Sequence, residues 1–503
     1  MVLEMTDLEP KDEGKSAKSL GGTLKRGATA AGVGLLVVQG VGIVQTLVLG
    51  RILGPGQVGL FAAGTVLLGF IAVVSQGAMS QALVQRRTDV DAAANTVLVV
   101  TFGTGILMAG AVAAASPVIG IVFHSDEVTL IALASAGMVL LHACTSVPDA
   151  LMQRDLKVHR KLIIDPAATI TYAAVAIGLA IAGMGAWAMV IGTYASQVVW
   201  IALSWTFARW KPSISKFSVH LWRDMSVFSF PLLVSAIAER TRETAEQVLV
   251  GQFLGTRALG QFRYGYRLGS MPSVAIIQIC SYVLFPAFAQ IAHDRERYVH
   301  AYRRAAGWLW AAALPVGFLM ILAAEPVIVA LLGTEWQPAG AAAAAMAGVG
   351  PGIALAAVAT EAVKGAGQPR VLAWIAIASA VVGLPLVWWM TYYGLSAVGA
   401  AISAIYLMIG VLSILCATPV VSVPLSTVLR ELLPVTISAV SAFAIVGGVR
   451  LLLAPREGIV GPIGECVLYV VLYLAALVVF DRPRAQVIVR IPRQLIGRLR
   501  SGR

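Results

Sequence analysis

The residues 239–246 place seven polar or charged side chains in the middle of a long apolar stretch, with the order Glu-Arg-Thr-Arg-Glu-Thr-Ala-Glu. On an α-helix, Glu239, Arg242, Glu243 and Glu246 fall within an arc of about 100°. A charged side chain at mid-membrane depth costs about 3 kcal/mol or more unless it faces protein or water. The spacing therefore predicts a helix face that points away from lipid, and we call residues 239–246 the charged band.

The next apolar stretch carries Arg263 and Arg267 one helical turn apart, beside two tyrosines. The planar guanidinium group of arginine forms paired, charge-assisted hydrogen bonds that suit phosphate. If the two stretches form a helical hairpin that turns near residue 255, these arginines lie level with Glu243 and Glu246. Two interpretations stay open: the pairs Glu243–Arg267 and Glu246–Arg263 neutralise each other, or the charges line a hydrated cavity.

The composition identifies the elements that must position these groups. Of the 503 residues, 58% are hydrophobic and 12% are charged, and the mean hydropathy is +0.84. Soluble proteins average about 45–50% apolar and about 25% charged residues. The composition therefore excludes a water-soluble enzyme and predicts an all-α polytopic membrane protein.

A membrane-spanning helix needs about 20 mostly apolar residues. Fourteen such runs are present: 27–50, 58–82, 93–115, 128–148, 162–183, 188–208, 226–251, 260–288, 305–324, 338–362, 371–393, 395–416, 431–453 and 463–480. With this count, 29 of the 37 Lys and Arg residues lie on the side of the two termini and four on the opposite side. Cytoplasmic loops are enriched in Lys and Arg, so we expect both termini in the cytoplasm. The asymmetry explains the net charge of +12 without a nucleic-acid partner.

An internal repeat divides the chain. Residues 49–64 align with 250–265, with identical residues at Gly50/Gly251, Leu53/Leu254, Gly54/Gly255, Gly59/Gly260, Phe61/Phe262 and Gly64/Gly265. Pro117-Val118-Ile119 recurs as Pro326-Val327-Ile328. Six spans separate the copies, so the repeat predicts two parallel six-helix lobes, a substrate path between them and alternating access.

This repeat gives the expected domain organisation: 1–26 cytoplasmic tail, 27–208 first lobe, 209–225 amphipathic linker, 226–416 second lobe, 417–480 two extra spans and 481–503 basic cytoplasmic tail. Glutamines in the first two spans (Gln39, Gln45, Gln76 and Gln81) either line the cavity or bond between helices.

A set of short motifs carries a family resemblance: Gly50-Arg51-Ile52-Leu53-Gly54-Pro55 with Gly59-Leu60-Phe61, Gly251-Gln252-Phe253-Leu254-Gly255 with Gly260, Tyr266-Arg267-Leu268, Leu284-Phe285-Pro286-Ala287-Phe288, Leu332-Gly333-Thr334-Glu335-Trp336 and Lys364-Gly365-Ala366-Gly367-Gln368-Pro369. Over about residues 20–420 the chain resembles the polysaccharide-transporter family, the Wzx-type flippases of lipid-linked oligosaccharides. Their superfamily also holds multidrug extruders and lipid II flippases.

The resemblance implies that polyprenyl-diphosphate-linked sugars are moved from the cytoplasmic to the outer leaflet of a bacterial inner membrane. We expect Arg240, Arg242, Arg263 and Arg267 to neutralise the diphosphate while the prenyl tail stays in lipid. The acids Glu239, Glu243 and Glu246 would orient these arginines and take up protons, and Glu361 is a further candidate for ion coupling. Expected partners are the lipid-linked oligosaccharide and membrane lipids, with a polysaccharide polymerase and glycosyltransferases as further candidates.

Other function classes fit less well. The sequence has no nucleophile–base set, metal cluster or phosphate loop, so we expect neither an enzyme nor a cofactor. A membrane glycosyltransferase or polymerase usually needs a large outer loop, and the loops here are short. A multidrug exporter would need an embedded acid in its first lobe, and spans 1–4 contain no Asp or Glu. A lipid II exporter and a non-transporting scaffold remain alternatives.

Overall fold

The structure is a computed structural model that describes residues 16–70, 79–85, 89–155, 158–213, 217–271, 288, 294–365, 370–421, 423–452 and 460–487. In this part of the chain 92% of the residues are helical and none lies in a strand. Within these described ranges, eleven helical stretches are long and apolar enough to cross a membrane. The prediction of an all-α, polytopic membrane protein is therefore confirmed.

The helices are α1 (Ser16–Gly64), α2 (Met79–Gln85), α3 (Val90–Val122), α4 (Asp126–Ala143), α5 (Ser146–Arg154), α6 (Val158–Ile181), α7 (Ala186–Ala208), α8 (Val219–Leu254), α9 (256–271), α10 (Arg295–Leu332), α11 (Gln337–Ala345), α12 (Val349–Gly365), α13 (Arg370–Thr391), α14 (Leu395–Val421), α15 (Leu425–Leu452) and α16 (Val460–Phe480). Of the fourteen predicted runs, three are described only in part: 58–82, 260–288 and, without its last residue, 431–453. The motif residues 284–287 and 366–369, Gln76 and most of both tails also lie outside the described residues.

The internal repeat is present in the backbone. Gly54 divides α1 into two arms with φ 68° and ψ 172°, and its repeat mate Gly255 separates α8 from α9 with φ 88° and ψ 166°. Further positive-φ residues recur at equivalent turns: His124 with Gly333, and Gly185 with Gly394. All six residues lie at one end of the helices, which we call the turn end.

The two halves contact each other at the turn end. A Cβ atom on Gly59 would overlap the carbonyl oxygen of Thr256, and a Cβ atom on Gly260 would overlap that of Pro55. Thr256 is the repeat mate of Pro55, so the two contacts are reciprocal. Two hydrophobic clusters also combine residues of both halves at this interface. Only glycine allows backbones to approach this closely, which explains why both turns carry it.

The last two helices pack outside the duplicated unit. Side chains of α15 and α16 form a cluster with Leu322 of α10, in which Tyr469 and Leu477 are fully buried. The Tyr473 hydroxyl donates to the Ala311 carbonyl at 2.9 Å. These helices therefore cover one face of the second half, as the count of two extra spans predicts.

Helices cross several of the expected domain boundaries, and α1 already begins at Ser16, within the expected 1–26 tail. Helix α8 begins at Val219, within the expected 209–225 linker, because the Ser218 hydroxyl accepts from the Leu221 amide and starts the helix. The expected 481–503 tail begins with residues 481–487, which we call the docked segment because Arg484 in it is only 8% exposed. The other domain boundaries stay predictions.

Candidate functional site

The charged band forms two ion pairs along α8. Arg240 donates to Glu243 at 2.6 Å, with side-chain exposures of 48% and 27%. Arg242 pairs with Glu246, and these side chains are only 2% and 6% exposed. Residues three or four apart on a helix are neighbours, so each pair forms within its own turn. The first pair is open to solvent or lipid, whereas the second is enclosed.

Of the two open interpretations, the pairing between α8 and α9 is therefore not the arrangement in the structure. Glu243 binds Arg240 instead of Arg267, and Glu246 binds Arg242 instead of Arg263. The prediction compared depth along the two helices, but a contact also depends on the direction in which each side chain points. Here α8 packs against α13 and α14, whereas Arg263 on α9 points towards α1.

Aromatic groups enclose the inner pair. The Arg242 guanidinium lies 5.0 Å from the Tyr406 ring centroid and donates to the Tyr406 hydroxyl at 3.3 Å. That hydroxyl lies 3.0 Å from the Tyr266 hydroxyl. A buried charge persists only with its partner and further hydrogen bonds, and all of these are present. The geometry therefore makes Arg242 an internally satisfied group.

Arg263 and Arg267 have different surroundings. Arg263 donates to the Thr65 hydroxyl at 3.2 Å and lies 5.9 Å from the Phe61 ring centroid. Arg267 is exposed, and its Nη2 atom lies 3.6 Å from where a Cβ of Gly42 would be. Among the described residues neither arginine forms an ion pair with a carboxylate, so both positive charges stay uncompensated.

These two arginines line one small cavity between α1, α6, α7 and α9, of about 70 Å³, which we call the arginine cavity. Its lining residues are Gln45, Thr46, Leu49, Val58, Phe61, Tyr172, Met189, Arg263, Tyr264 and Arg267. The described lining contains hydroxyl and amide groups and no Asp or Glu. Such a set can bind an anion through charge-assisted hydrogen bonds.

The two remaining predicted acids lie apart from this cavity. Glu239 is exposed on α8, and half-buried Glu361 lies near the end of α12. The neighbours of Glu361, Ala362 and Val363, pack in a cluster with α10 and α14. The structure thus brings together two of the eight predicted residues in the arginine cavity and four in the pairs of α8.

Sequence reasoning missed Tyr172 and Tyr406 as site residues. Each is a tyrosine within a predicted apolar span, and a buried tyrosine hydroxyl usually finds a hydrogen-bond partner. A tyrosine inside an apolar span was therefore the sequence feature that could have identified them as site residues. It could not tell that Tyr406 meets Arg242 or that Tyr172 lines the cavity of Arg263 and Arg267, because these arginines lie on helices far away in sequence.

The first half also holds an embedded acid that the predicted spans excluded. The candidate span Asp126–Arg154 extends six residues past 148 and includes Asp149. The Asp149 carboxylate accepts from Trp200 Nε1 at 3.2 Å and from Ser204 Oγ at 3.0 Å. The argument that spans 1–4 carry no acid therefore fails, because helix α5 continues the fourth span beyond its apolar part.

By sequence, the chain is similar to proteins of polysaccharide biosynthesis. It is 26% identical over 345 residues to the succinoglycan biosynthesis transport protein ExoT of Rhizobium meliloti (strain 1021), covering 68% of this chain and 69% of that protein. It is 24% identical to the lipopolysaccharide biosynthesis protein WzxC of Escherichia coli (strain K12), covering 54% and 55% of the two chains.

The fold matches a solved flippase. The structure described as lipid II flippase MurJ, inward closed conformation, superposes with a TM-score of 0.74 at 13% identity, over 90% of this chain and 99% of that chain. At this identity the likeness concerns the fold alone. A family model described as polysaccharide biosynthesis protein matches residues 48–341, more than half of the sequence. The chain therefore belongs to this polysaccharide biosynthesis protein family.

Proposed function

We propose that this protein moves polyprenyl-diphosphate-linked oligosaccharide across the cytoplasmic membrane for cell-surface polysaccharide synthesis. Family membership and the similarity to a succinoglycan biosynthesis transport protein and a lipopolysaccharide biosynthesis protein support this proposal. The fold shared with a lipid II flippase supports a lipid-linked substrate and alternating access.

The observation that carries the proposal is the arginine cavity. Arg263 and Arg267 direct two uncompensated positive charges into a space lined by Gln45, Thr46 and Tyr172. A diphosphate would neutralise both guanidinium groups and receive bidentate hydrogen bonds. The amide and hydroxyl groups are suited to the sugar that follows it.

The surroundings of the other charged residues suggest different roles for them. Arg240 and Glu243 are half-exposed, and the Arg240 Nη1 atom lies 4.0 Å from the Cβ position of Gly69 in the opposite half. We infer that this pair, with Glu239, lines the route between the halves. Glu361 stays a candidate for proton coupling, whereas we infer a structural role for the enclosed Arg242–Glu246 pair.

We also propose that both termini lie in the cytoplasm and that the turn end faces outward. The 29-to-4 distribution of Lys and Arg supports this orientation. Translocation then uses an ion gradient, the membrane potential or the substrate gradient instead of a catalysed reaction. A polysaccharide polymerase and glycosyltransferases are the partners that this role would require.

Translocation can be measured in proteoliposomes with a fluorescent polyprenyl-diphosphate saccharide and a membrane-impermeant quencher. Arg263→Gln and Arg267→Gln should each lower the initial rate about tenfold, because a hydrogen bond to a charged group contributes about 1.5–3 kcal/mol. Arg257→Gln is the matched control, because Arg257 lies on the same helix in an exposed pair with Glu335. A normal rate in the Arg263/Arg267 double variant would contradict the proposal.

A multidrug exporter is the second candidate, and half-buried Asp149 on α5 is the observation that favours it. Exporters of cationic drugs need an acid in the first lobe, and Asp149 occupies such a position. Loss of ethidium export by Asp149→Asn, with no lipid translocation by the wild-type protein, would favour this alternative.

A further inference from the structure

A second cavity lies between the first arm of α1 and α6. It has a volume of about 390 Å³ and an almost entirely apolar lining that includes Val37, Gly40, Val44, Ala173 and Ile177. Val37 and Val44 are 41% and 58% exposed, and a Cβ on Gly40 would meet no atom within 4 Å. This apolar groove is therefore open along the side of the molecule, on helices that span the membrane.

The groove and the arginine cavity meet at one residue. Gln45 lines both, together with Val44 on the groove side and Arg267 on the cavity side. It is 9% exposed, and its Oε1 atom has no hydrogen-bond partner among the described residues. A buried amide left unsatisfied costs about 1–3 kcal/mol, which a bound ligand with polar atoms at this point would recover.

We propose that the apolar groove holds the prenyl chain of the substrate while the diphosphate binds Arg263 and Arg267, with Gln45 at the junction. This inference rests on the proposed function and adds a route for the chain between the first and fifth spans. An amide can donate to a phosphate oxygen or accept from a sugar hydroxyl, so Gln45 suits the point where apolar and polar parts join.

The position of the groove, and not its affinity for the prenyl chain, would determine how the substrate enters. Lipid is as apolar as the groove, so a prenyl chain gains little free energy by leaving one for the other. A lateral opening at this depth nevertheless lets the headgroup enter the arginine cavity while the chain stays in apolar surroundings. A side chain that fills the groove should therefore exclude the lipid-linked substrate and leave the binding of a tail-free anion unchanged.

Photocrosslinking tests this route. The wild-type protein in phosphatidylcholine nanodiscs is illuminated with a diazirine-bearing polyprenyl diphosphate, and labelled peptides are identified by mass spectrometry. Part of the label should disappear when excess inorganic pyrophosphate is present. We expect this pyrophosphate-sensitive label on residues 37–45 and 173–177. Gly40→Phe should lower this label about tenfold while pyrophosphate binding, measured by calorimetry, is retained.

Gly447→Phe is the matched control, because Gly447 on α15 also has no atom within 4 Å of its Cβ position. It should leave the label unchanged. Pyrophosphate-sensitive label on α15 and α16 instead of the groove, or unchanged label in Gly40→Phe, would overturn the groove assignment. If the proposed function itself is wrong, the wild-type protein shows no pyrophosphate-sensitive label anywhere, so the two failures are distinguishable.

Discussion

At the scale of single residues, the arginines of the central region divide into two kinds. Arg242 has its charge, its hydrogen bonds and its ring face all used by Glu246 and Tyr406. Arg263 and Arg267 have no carboxylate partner among the described residues and line a cavity. We therefore assign the first to the folded structure and the other two to the substrate.

The inner pair should contribute strongly to stability. Arg242→Ala leaves the buried Glu246 carboxylate without its partner, which should cost about 3–5 kcal/mol of unfolding free energy. Arg240→Ala removes a half-exposed pair on the same helix and should cost less than about 1 kcal/mol. Denaturant unfolding in detergent micelles measures both values.

The double variant Arg242→Met with Glu246→Leu separates structure from transport. Replacing a buried ion pair by apolar side chains of similar size is often neutral or stabilising. We expect a stability close to that of the wild-type protein and retained translocation. A stable double variant that has lost translocation would show that this pair contacts the substrate or couples the ion.

The sequence was sufficient to locate the charged residues but not to pair them. Spacing along a helix places Arg242 beside Glu246, and that local relation holds in the structure. The partners Thr65 and Tyr406 come from distant parts of the chain, as does Tyr172 of the cavity lining, and their directions depend on helix packing and rotation. The hydropathy pattern carries no information on that rotation when almost every side of a helix is apolar.

At the scale of the elements, the paired turns around Gly54 and Gly255 organise the structure. The recurrence of glycines made both turns recognisable in the sequence, and the positive φ angles of Gly54 and Gly255 explain why glycine stands there. What the repeat did not predict is that the two turns pack on each other. The reciprocal contacts at Gly59 and Gly260 close the turn end in this conformation.

Gly59→Leu should therefore shift the protein away from this closed conformation. Its side chain would overlap the Thr256 carbonyl, whereas Gly56→Leu, the matched control in the same turn, has no atom within 4 Å of its Cβ position. Opening of the turn end can be followed with Leu259→Cys, because Leu259 is fully buried in the closed conformation. The substitution is made in a variant that lacks the four native cysteines. We expect faster labelling by an impermeant thiol reagent in Gly59→Leu only, and equal labelling rates would contradict this account.

The docked segment after α16 should fix the last two helices. Arg484 binds Asp481 at 2.6 Å and also binds Glu431, which Arg303 of α10 contacts at 2.7 Å. Arg484→Ala removes a partner from the Asp481 and Glu431 carboxylates. It should lower the free energy of unfolding by about 1–3 kcal/mol.

Exposed Arg430 on α15 provides the control, Arg430→Ala, which should be neutral. Limited proteolysis and thermal unfolding compare the two variants. Equal stability would show that the Arg484 cluster does not hold the segment in place.

At the scale of the whole molecule, the two halves enclose a site that neither forms alone. The arginines belong to α9 of the second half, and the other walls come from α1, α6 and α7 of the first half. With the turn end closed, relative movement of the halves would change access to this site from one membrane face to the other. The composition predicted a polytopic membrane protein and the repeat predicted a substrate path between two lobes, whereas the shared cavity required the packed structure.

The most direct test is a cryo-electron microscopy structure with a bound polyprenyl-diphosphate saccharide. The account predicts diphosphate density within about 2.7–3.2 Å of the Arg263 and Arg267 guanidinium groups. The account also predicts that the Arg242–Glu246 pair stays intact in the substrate-bound protein. Diphosphate density at Arg242, or no density in the arginine cavity of a substrate-saturated protein, would contradict it.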